Sequence, residues 1–254
     1  MSAGSEQIGA PPARIPRVSR AADRGSRPIR LAPVGLWLTD PMRITKHEHA
    51  ALRVEAEGRT LLIDPGTFTS PLADLHVLEA IVITHEHVDH WTPEQLSRIF
   101  SAAPLVPIFT TRAVADAIGE EHDVTVVAPG DEITAGPFTL RFFGGVHAEI
   151  HSSIPLIDNV GVLVNDELYY PGDSYAVPEG VEVGTLAAPA GAPWLKLGEA
   201  MDFVLAVAPR RAFGTHDMTL SVAGRGMHFS RLQWATEQGG GEFHPLEPGD
   251  TIDL

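Results

Sequence analysis

From residue 42 onward, apolar and polar positions fall into short runs with two distinct periods. Residues 42–45 and 51–56 alternate in the way that buries one face of a strand. Glu57-Gly58 reads as a turn and residues 59–63 as the returning strand. That strand runs into Asp64-Pro65-Gly66, where proline and glycine end it and leave Asp64 at its tip. Residues 80–84 are an apolar, β-branched run of the buried kind. Residues 93–100 read as a helix with Pro93 in the first position, 107–110 as a strand, and 111–118 as a helix closed by Gly119. Strands follow at 124–127, 132–134 and 138–143, then a hairpin of 160–164 with 168–170 around Asn165-Asp166-Glu167. Residues 194–200 suggest a helix, 203–207 a strand, and 222–238 a helix stopped by three glycines. The chain closes on a strand pair around Pro248-Gly249-Asp250. Strands early and late with helices between them predict an α/β fold of sheets covered by helices.

Residues 1–30 show no such period and are rich in Ala, Pro, Ser, Gly and Arg. They read as disordered. Arg-rich, acid-poor sequence also suits a targeting peptide, and an overlong start is the simplest alternative, with Met42 as the true initiator. The expected organisation is an extension over residues 1–41 and one domain over 42–254.

Charge sharpens this division. Six arginines against Glu6, Asp23 and Asp40 give residues 1–41 a balance of +3, which leaves −18 for the rest of a 254-residue chain whose formal charge is −15. A body that acidic repels a phosphate backbone, so nucleic acid is not the expected main partner. There is no cysteine, hence no disulfide framework and no thiolate ligand. No apolar run approaches the roughly 18 residues of a membrane span. The expectation is a soluble cytoplasmic protein acting on a small molecule; a homo-oligomer is compatible with the sequence.

The chemistry is concentrated in one segment, Thr84-His85-Glu86-His87-Val88-Asp89-His90. Its three histidines and one aspartate can each bind a borderline metal ion. His85 and His87 are two apart at the end of an extended run, so both imidazoles can grip one ion. Asp89 and His90 follow where the chain turns towards a helix and can serve a second. Glu86 and Val88 are spacers. Six residues cannot complete two coordination shells. Three strand ends or loops offer further ligands: His147 after Phe142-Phe143-Gly144-Gly145-Val146, Asp173 after Tyr169-Tyr170-Pro171-Gly172, and His216 after Phe213-Gly214-Thr215. His151 rivals His147, and Asp217 rivals His216.

The pattern His-x-His-x-Asp-His, followed by a distant His, Asp and His and preceded by a strand ending in Asp64-Pro65-Gly66, resembles the metallo-β-lactamase fold hydrolases. Within them, the region around His49 and the strand into Asp64 look most like the bacterial ascorbate-6-phosphate lactonase-like branch. The resemblance implies a four-layer αββα sandwich with two metals at one edge. It places His85, His87 and His147 on the first metal, Asp89, His90 and His216 on the second, and Asp173 between them. The antibiotic-hydrolysing members carry Cys where this chain has Asp173, so β-lactamase activity is not expected. All-N/O ligation makes Zn the default, while Mn or Fe would tolerate the same set.

The implied activity is hydrolysis of a small ester, lactone or phosphate-bearing metabolite by a metal-bound hydroxide, with Asp89 orienting the nucleophile and passing a proton to the leaving group. Phosphodiesterase or nuclease activity on the same fold is the alternative, and a non-catalytic metal-binding or redox protein is a third. Asp64 is expected to fix one of the ligand histidines, and His49 is a second supporting residue. His151, Tyr175 and Trp91 are candidates for the substrate pocket. The loops 67–76, 147–158 and 175–193 are expected to shape it, the last as a lid or partner surface. His47, His76, His122, His228 and His244 show no partner pattern.

Overall fold

The computed structural model describes residues 41–254. The expectations for residues 1–40 lie outside it. Two antiparallel strands open the described chain, β1 (Arg43–Lys46) and β2 (Leu52–Ala56), followed by β3 (Arg59–Ile63) and β4 (Leu78–Ile83). In β2, Leu52, Val54 and Ala56 are buried while Arg53 and Glu55 are half-exposed, which is the alternation the sequence shows. Next come α1 (Pro93–Ala102), β5 (Ile108–Thr110), α2 (Arg112–Ile118) and β6 (Val124–Val126). The Thr92 side chain accepts from the Gln95 amide at 3.0 Å and caps α1. The second half comprises β7 (Glu132–Ala135), β8 (Phe138–Val146), β9 (Asp158–Val164), β10 (Leu168–Tyr170), β11 (Thr185–Pro189), α3 (Leu197–Val207), β12 (Arg211–Thr215), α4 (Val222–Gln238), β13 (Glu242–His244) and β14 (Thr251–Asp253).

The strands form two seven-stranded sheets, in the orders β14-β1-β2-β3-β4-β5-β6 and β13-β12-β11-β10-β9-β8-β7. Each is antiparallel in one half and parallel in the other: β3 to β6 run parallel in the first sheet, β10 to β13 in the second. One apolar layer, with Leu52, Ile63, Phe138, Phe142 and Phe213, lies between the sheets. A second, with Leu62, Ile81, Leu96 and Ile99, joins the first sheet to α1 and α2. A third, with Leu186, Phe203, Phe229 and Leu232, joins the second sheet to α3 and α4. Layers on both faces of both sheets make the αββα sandwich, and they explain why β4 and β11 are buried along almost their whole lengths.

Three sequence expectations are corrected. Residues 203–207 are the last turns of α3, not a strand. Ala200, Phe203 and Val204 are its buried face, spaced three and four apart, a pattern that a short apolar run does not distinguish from a strand. Residues 185–189 were expected in a lid-forming loop and are instead the fully buried strand β11, between β10 and β12. Their sequence, Thr-Leu-Ala-Ala-Pro, has little intrinsic strand preference, and burial between two parallel neighbours imposes the conformation. Finally, β13 and β14 do not pair with each other. The turn at Pro248-Gly249-Asp250 carries the chain from one sheet to the other, where β13 joins β12 and β14 joins β1. Among the described residues, no helix is long and apolar enough to cross a membrane.

Candidate metal centre

Five strand ends converge on one edge of the sandwich. β3 delivers Asp64, β4 delivers His85, β8 delivers His147, β10 leads through Pro171-Gly172 to Asp173, and β12 delivers His216. The backbone tightens there. His49, Asp64 and His216 all have positive φ, at 60°, 48° and 56°. Such conformations cost about 1–3 kcal/mol each and persist where the surroundings hold them. Gly66 is required for packing: a Cβ there would collide with the backbone of Asp89, because the Asp64-Pro65-Gly66 turn lies directly against the histidine segment.

Two groups of ligand atoms result. Those of His85, His87, His147 and Asp173 lie within 4.8 Å of one another, as do those of His49, Asp89, His90 and His216. Asp173 reaches both groups: Oδ2 is 3.4 Å from His147 Nε2 and 3.2 Å from His216 Nε2, while Oδ1 is 3.3 Å from His90 Nε2. His216 Nε2 is also 3.2 Å from Asp89 Oδ2, and His85 Nε2 is 3.1 Å from His87 Nδ1. Two donors on one tetrahedral ion, at bond lengths of roughly 2.0–2.1 Å, stand about 3.3 Å apart.

The hydrogen bonds around the cluster select the tautomers. His90 Nδ1 is 2.6 Å from Asp64 Oδ2, His147 Nδ1 is 2.6 Å from the Ala148 carbonyl, and His216 Nδ1 is 2.5 Å from the Gly191 carbonyl. Each of these partners only accepts, so each Nδ1 carries the hydrogen and each Nε2 presents a lone pair. Thr84 extends the pattern. Its hydroxyl donates to Asp64 Oδ2 at 2.6 Å and can therefore accept from His85 Nδ1 at 3.0 Å. Asp64 thus aims at His90, the pairing that the sequence left open, and also takes the Thr84 amide at 2.8 Å.

His49 is arranged differently. Its Nδ1 accepts from the Met218 amide at 3.3 Å, which puts the hydrogen on Nε2, 3.1 Å from Asp89 Oδ2. An imidazole in this state donates to Asp89 and is not itself free to bind metal through Nε2.

The nitrogens His90 Nε2, His147 Nε2 and His216 Nε2 and the oxygen Asp173 Oδ1 are buried and have no hydrogen-bond partner. Four orphaned acceptors in one cluster, each held by support on its other side, suit a divalent cation. Without an ion, protons compensate the charge. Burial lowers His216, but Asp173 and Asp89 outweigh it and raise it to about 9. Burial is likewise outweighed at His90, which Asp173 and Asp64 hold well above its ordinary value. Asp173, although burial disfavours its charge, is held well below the carboxylate range by His90 and His216. His85 is pushed well down by burial and by His90.

Of the other candidates, His151 is exposed and bonded to Ser153 at 2.7 Å, outside both groups. Tyr175 stands over Trp194 with ring centroids 5.1 Å apart, beside Asp173. Trp91 is corrected: it packs with Leu62, Leu75 and Leu96 beneath α1, because the turn after His90 aims it into the layer between sheet and helices. Two residues were not anticipated. Trp194 Nε1 donates to Asp173 Oδ2 at 2.8 Å, and Asn159 accepts the Asp173 amide at 3.0 Å while donating to the Pro171 carbonyl at 2.9 Å. The only sequence signal for Trp194 was a large aromatic in a run of small residues. Asn159 carried none. Asp217, the rival of His216, is engaged elsewhere, in a buried ion pair with Lys46 at 3.2 Å.

Residues 43–216 match the beta-lactamase superfamily domain. The chain belongs to that superfamily. Protein Rv0786c of Mycobacterium tuberculosis is 38% identical over 196 residues, covering 75% of this chain and 91% of that protein. A UPF0173 metal-dependent hydrolase of Aeropyrum pernix is 29% identical over 150 residues, covering 52% of this chain and 61% of its own length. In fold, the chain resembles Igni18, described as a novel metallo hydrolase from Ignicoccus hospitalis, with a TM-score of 0.66 at 16% identity over 84% of this chain and 98% of that one. The superfamily membership and the two ligand groups agree on a metal-dependent hydrolase of the metallo-β-lactamase fold.

Proposed function

We propose that residues 42–254 form a dinuclear hydrolase of a small ester or lactone. His85, His87 and His147 would hold one divalent ion and Asp89, His90 and His216 the other, with Asp173 reaching both. The observation that carries this reading is the set of orphaned acceptors, three imidazole nitrogens and one carboxylate oxygen, whose other sides are fixed. Zinc is the first expectation for this all-N/O set, and manganese or iron would also fit. Ions bound there would supply a water of near-neutral pKa and polarise the substrate carbonyl.

The chain's own residues do the rest. Asp89 is the carboxylate of the set that solvent can reach, 23% exposed against 3% for Asp173. It keeps its charge because His216 and His49 hydrogen-bond it, which outweighs partial burial. An ionised carboxylate there can accept the proton of the attacking water and return it to the oxygen of the leaving group as the acyl–oxygen bond breaks. His49, which donates to Asp89, limits the rotation of that carboxylate. Asp64 fixes His90, and Trp194 and Asn159 fix Asp173. A screen of metal-reconstituted protein against esters, lactones, thioesters and phosphodiesters tests the reading, with Asp89→Asn as control. Turnover that survives Asp89→Asn unchanged would refute the role of Asp89, and the absence of ester and lactone turnover would refute the assignment.

A further inference from the structure

We infer that the substrate of this site is uncharged and carries an apolar acyl or alkyl group, which excludes a phosphate-bearing metabolite. The inference rests on the hydrolase reading above. It comes from the surface around the metal centre, not from the ligands.

Among the described residues, twelve large apolar side chains are exposed, and six of them surround this centre: Phe68, Val88, Val146, Ile154, Leu156 and Met218. The loops that carry the candidate ligands or Asp64 also carry these six. Val88 lies between His87 and Asp89, and Val146 immediately precedes His147. The Phe68 ring is 4.7 Å from that of His49, and the Met218 amide is the one bonded to His49. Ile154 and Leu156 belong to the loop whose Ile157 carbonyl accepts the His147 amide at 3.0 Å. Their exposure runs from 42% at Phe68 to 68% at Val88. Half of the exposed apolar side chains gathered at one mouth mark a surface that gains by being covered. A groove of about 520 Å³, lined by Val146, Ala148, Tyr175 and Trp194 and also by Glu149 and Glu199, offers room for an uncharged group of this kind.

The formal charges at the same mouth are mostly negative. The segments that carry the candidate ligands or their hydrogen-bond supports, 64–70, 84–91, 146–158, 171–178, 190–196 and 215–221, contain no arginine and a single lysine, Lys196. That lysine pairs with Glu199 at 3.3 Å. Glu86, Glu149 and Asp158 are exposed there. The nearby cations are already paired: Lys46 is buried against Asp217, and Arg225 binds Glu247 at 2.6 Å. At the two adjacent helix N-termini, the side chains of Thr92 and Ser221 each already take one amide and Pro93 has no amide hydrogen, which weakens both as anion sites. A phosphate group away from the reacting bond would therefore lose hydration and face three carboxylates, with the surface-paired Lys196 the one cation of these segments to offset them. An alkyl chain would cover the exposed apolar ring.

The test uses the metal-loaded full chain. For a series of γ-lactones of growing alkyl chain, kcat/KM should rise by about 3- to 4-fold per methylene until the groove is filled, the factor that burial of roughly 0.8 kcal/mol per methylene gives. 6-Phosphogluconolactone should be at least tenfold poorer than the best neutral lactone. Val146→Lys and, on a separate loop, Leu156→Lys should each narrow that ratio. Calorimetry with octanamide and glucose 6-phosphate reads binding without turnover, and octanamide should bind more tightly. Equal or better use of the phosphorylated lactone, or tighter binding of glucose 6-phosphate, would overturn the inference. Octanamide selectivity without turnover of any ester or lactone would sustain the inference about the mouth and refute the hydrolase reading. Bis(p-nitrophenyl) phosphate cleaved faster than every lactone would overturn both.

Discussion

Asp64→Asn tests how the fold prepares the centre. Asp64 is wholly buried and binds no candidate ion, yet three groups converge on it: His90 Nδ1 at 2.6 Å, the Thr84 hydroxyl at 2.6 Å and the Thr84 amide at 2.8 Å. All three can donate, and a carboxylate accepts them all. Asparagine has the same shape but one accepting atom, so its NH₂ must face a donor whichever way it is turned. An unmet buried donor costs about 1–3 kcal/mol. His90 also loses the anion that orients it and makes its free nitrogen more basic. Loss of such an outer hydrogen bond typically weakens metal affinity by about 10- to 100-fold, so the expected loss is about 1.4–2.8 kcal/mol of binding. Competition against a chelator of known affinity measures the binding, and thermal unfolding of the metal-free protein measures the folding cost. A folded Asp64→Asn protein whose metal affinity changes less than twofold would refute the reasoning.

Further outcomes are expected from the same geometry. Trp194→Phe keeps the aromatic packing but removes the hydrogen bond to Asp173; a hydrogen bond to a charged group is worth about 1.5–3 kcal/mol, and metal affinity together with the melting temperature should report the loss. Asp89→Asn should lower kcat by about 10²- to 10⁴-fold with the melting temperature of the metal-free protein little changed, as steady-state kinetics and calorimetry would show. Gly66→Ala should destabilise the metal-free protein by at least about 1–3 kcal/mol, because the added methyl meets the backbone of Asp89; an unchanged denaturant midpoint would contradict this. Free metal at 100 times its dissociation constant should stabilise the protein by about 2.7 kcal/mol, and chelation should reverse the accompanying rise in melting temperature.

How far the sequence could be read depends on the range over which each feature is specified. The segment from His85 to His90 is local, so its types and spacing are visible without a fold. His147, Asp173 and His216 were findable because each follows a strand, and strand ends in layered sheets gather at one edge. Residues 203–207 and 185–189 misled because short apolar or alanine-rich stretches take their conformation from what they pack against: the second sheet for α3, two parallel strands for β11. The support of Asp173 was hidden for another reason. Trp194 and Asn159 lie 21 and 14 residues away from it in sequence, and only the fold brings them within hydrogen-bond distance. Trp91 shows the converse error, since adjacency to His90 in the chain did not mean adjacency to the centre.

The geometry calls for a pair of divalent ions held by two ligand groups that share Asp173. Elemental analysis of reconstituted and desalted protein tests it most directly, for the native chain and for His87→Ala and His216→Ala, one from each group. About two ions per native chain and about one in each variant are expected. Well under one ion per native chain, or two in both variants, would contradict it.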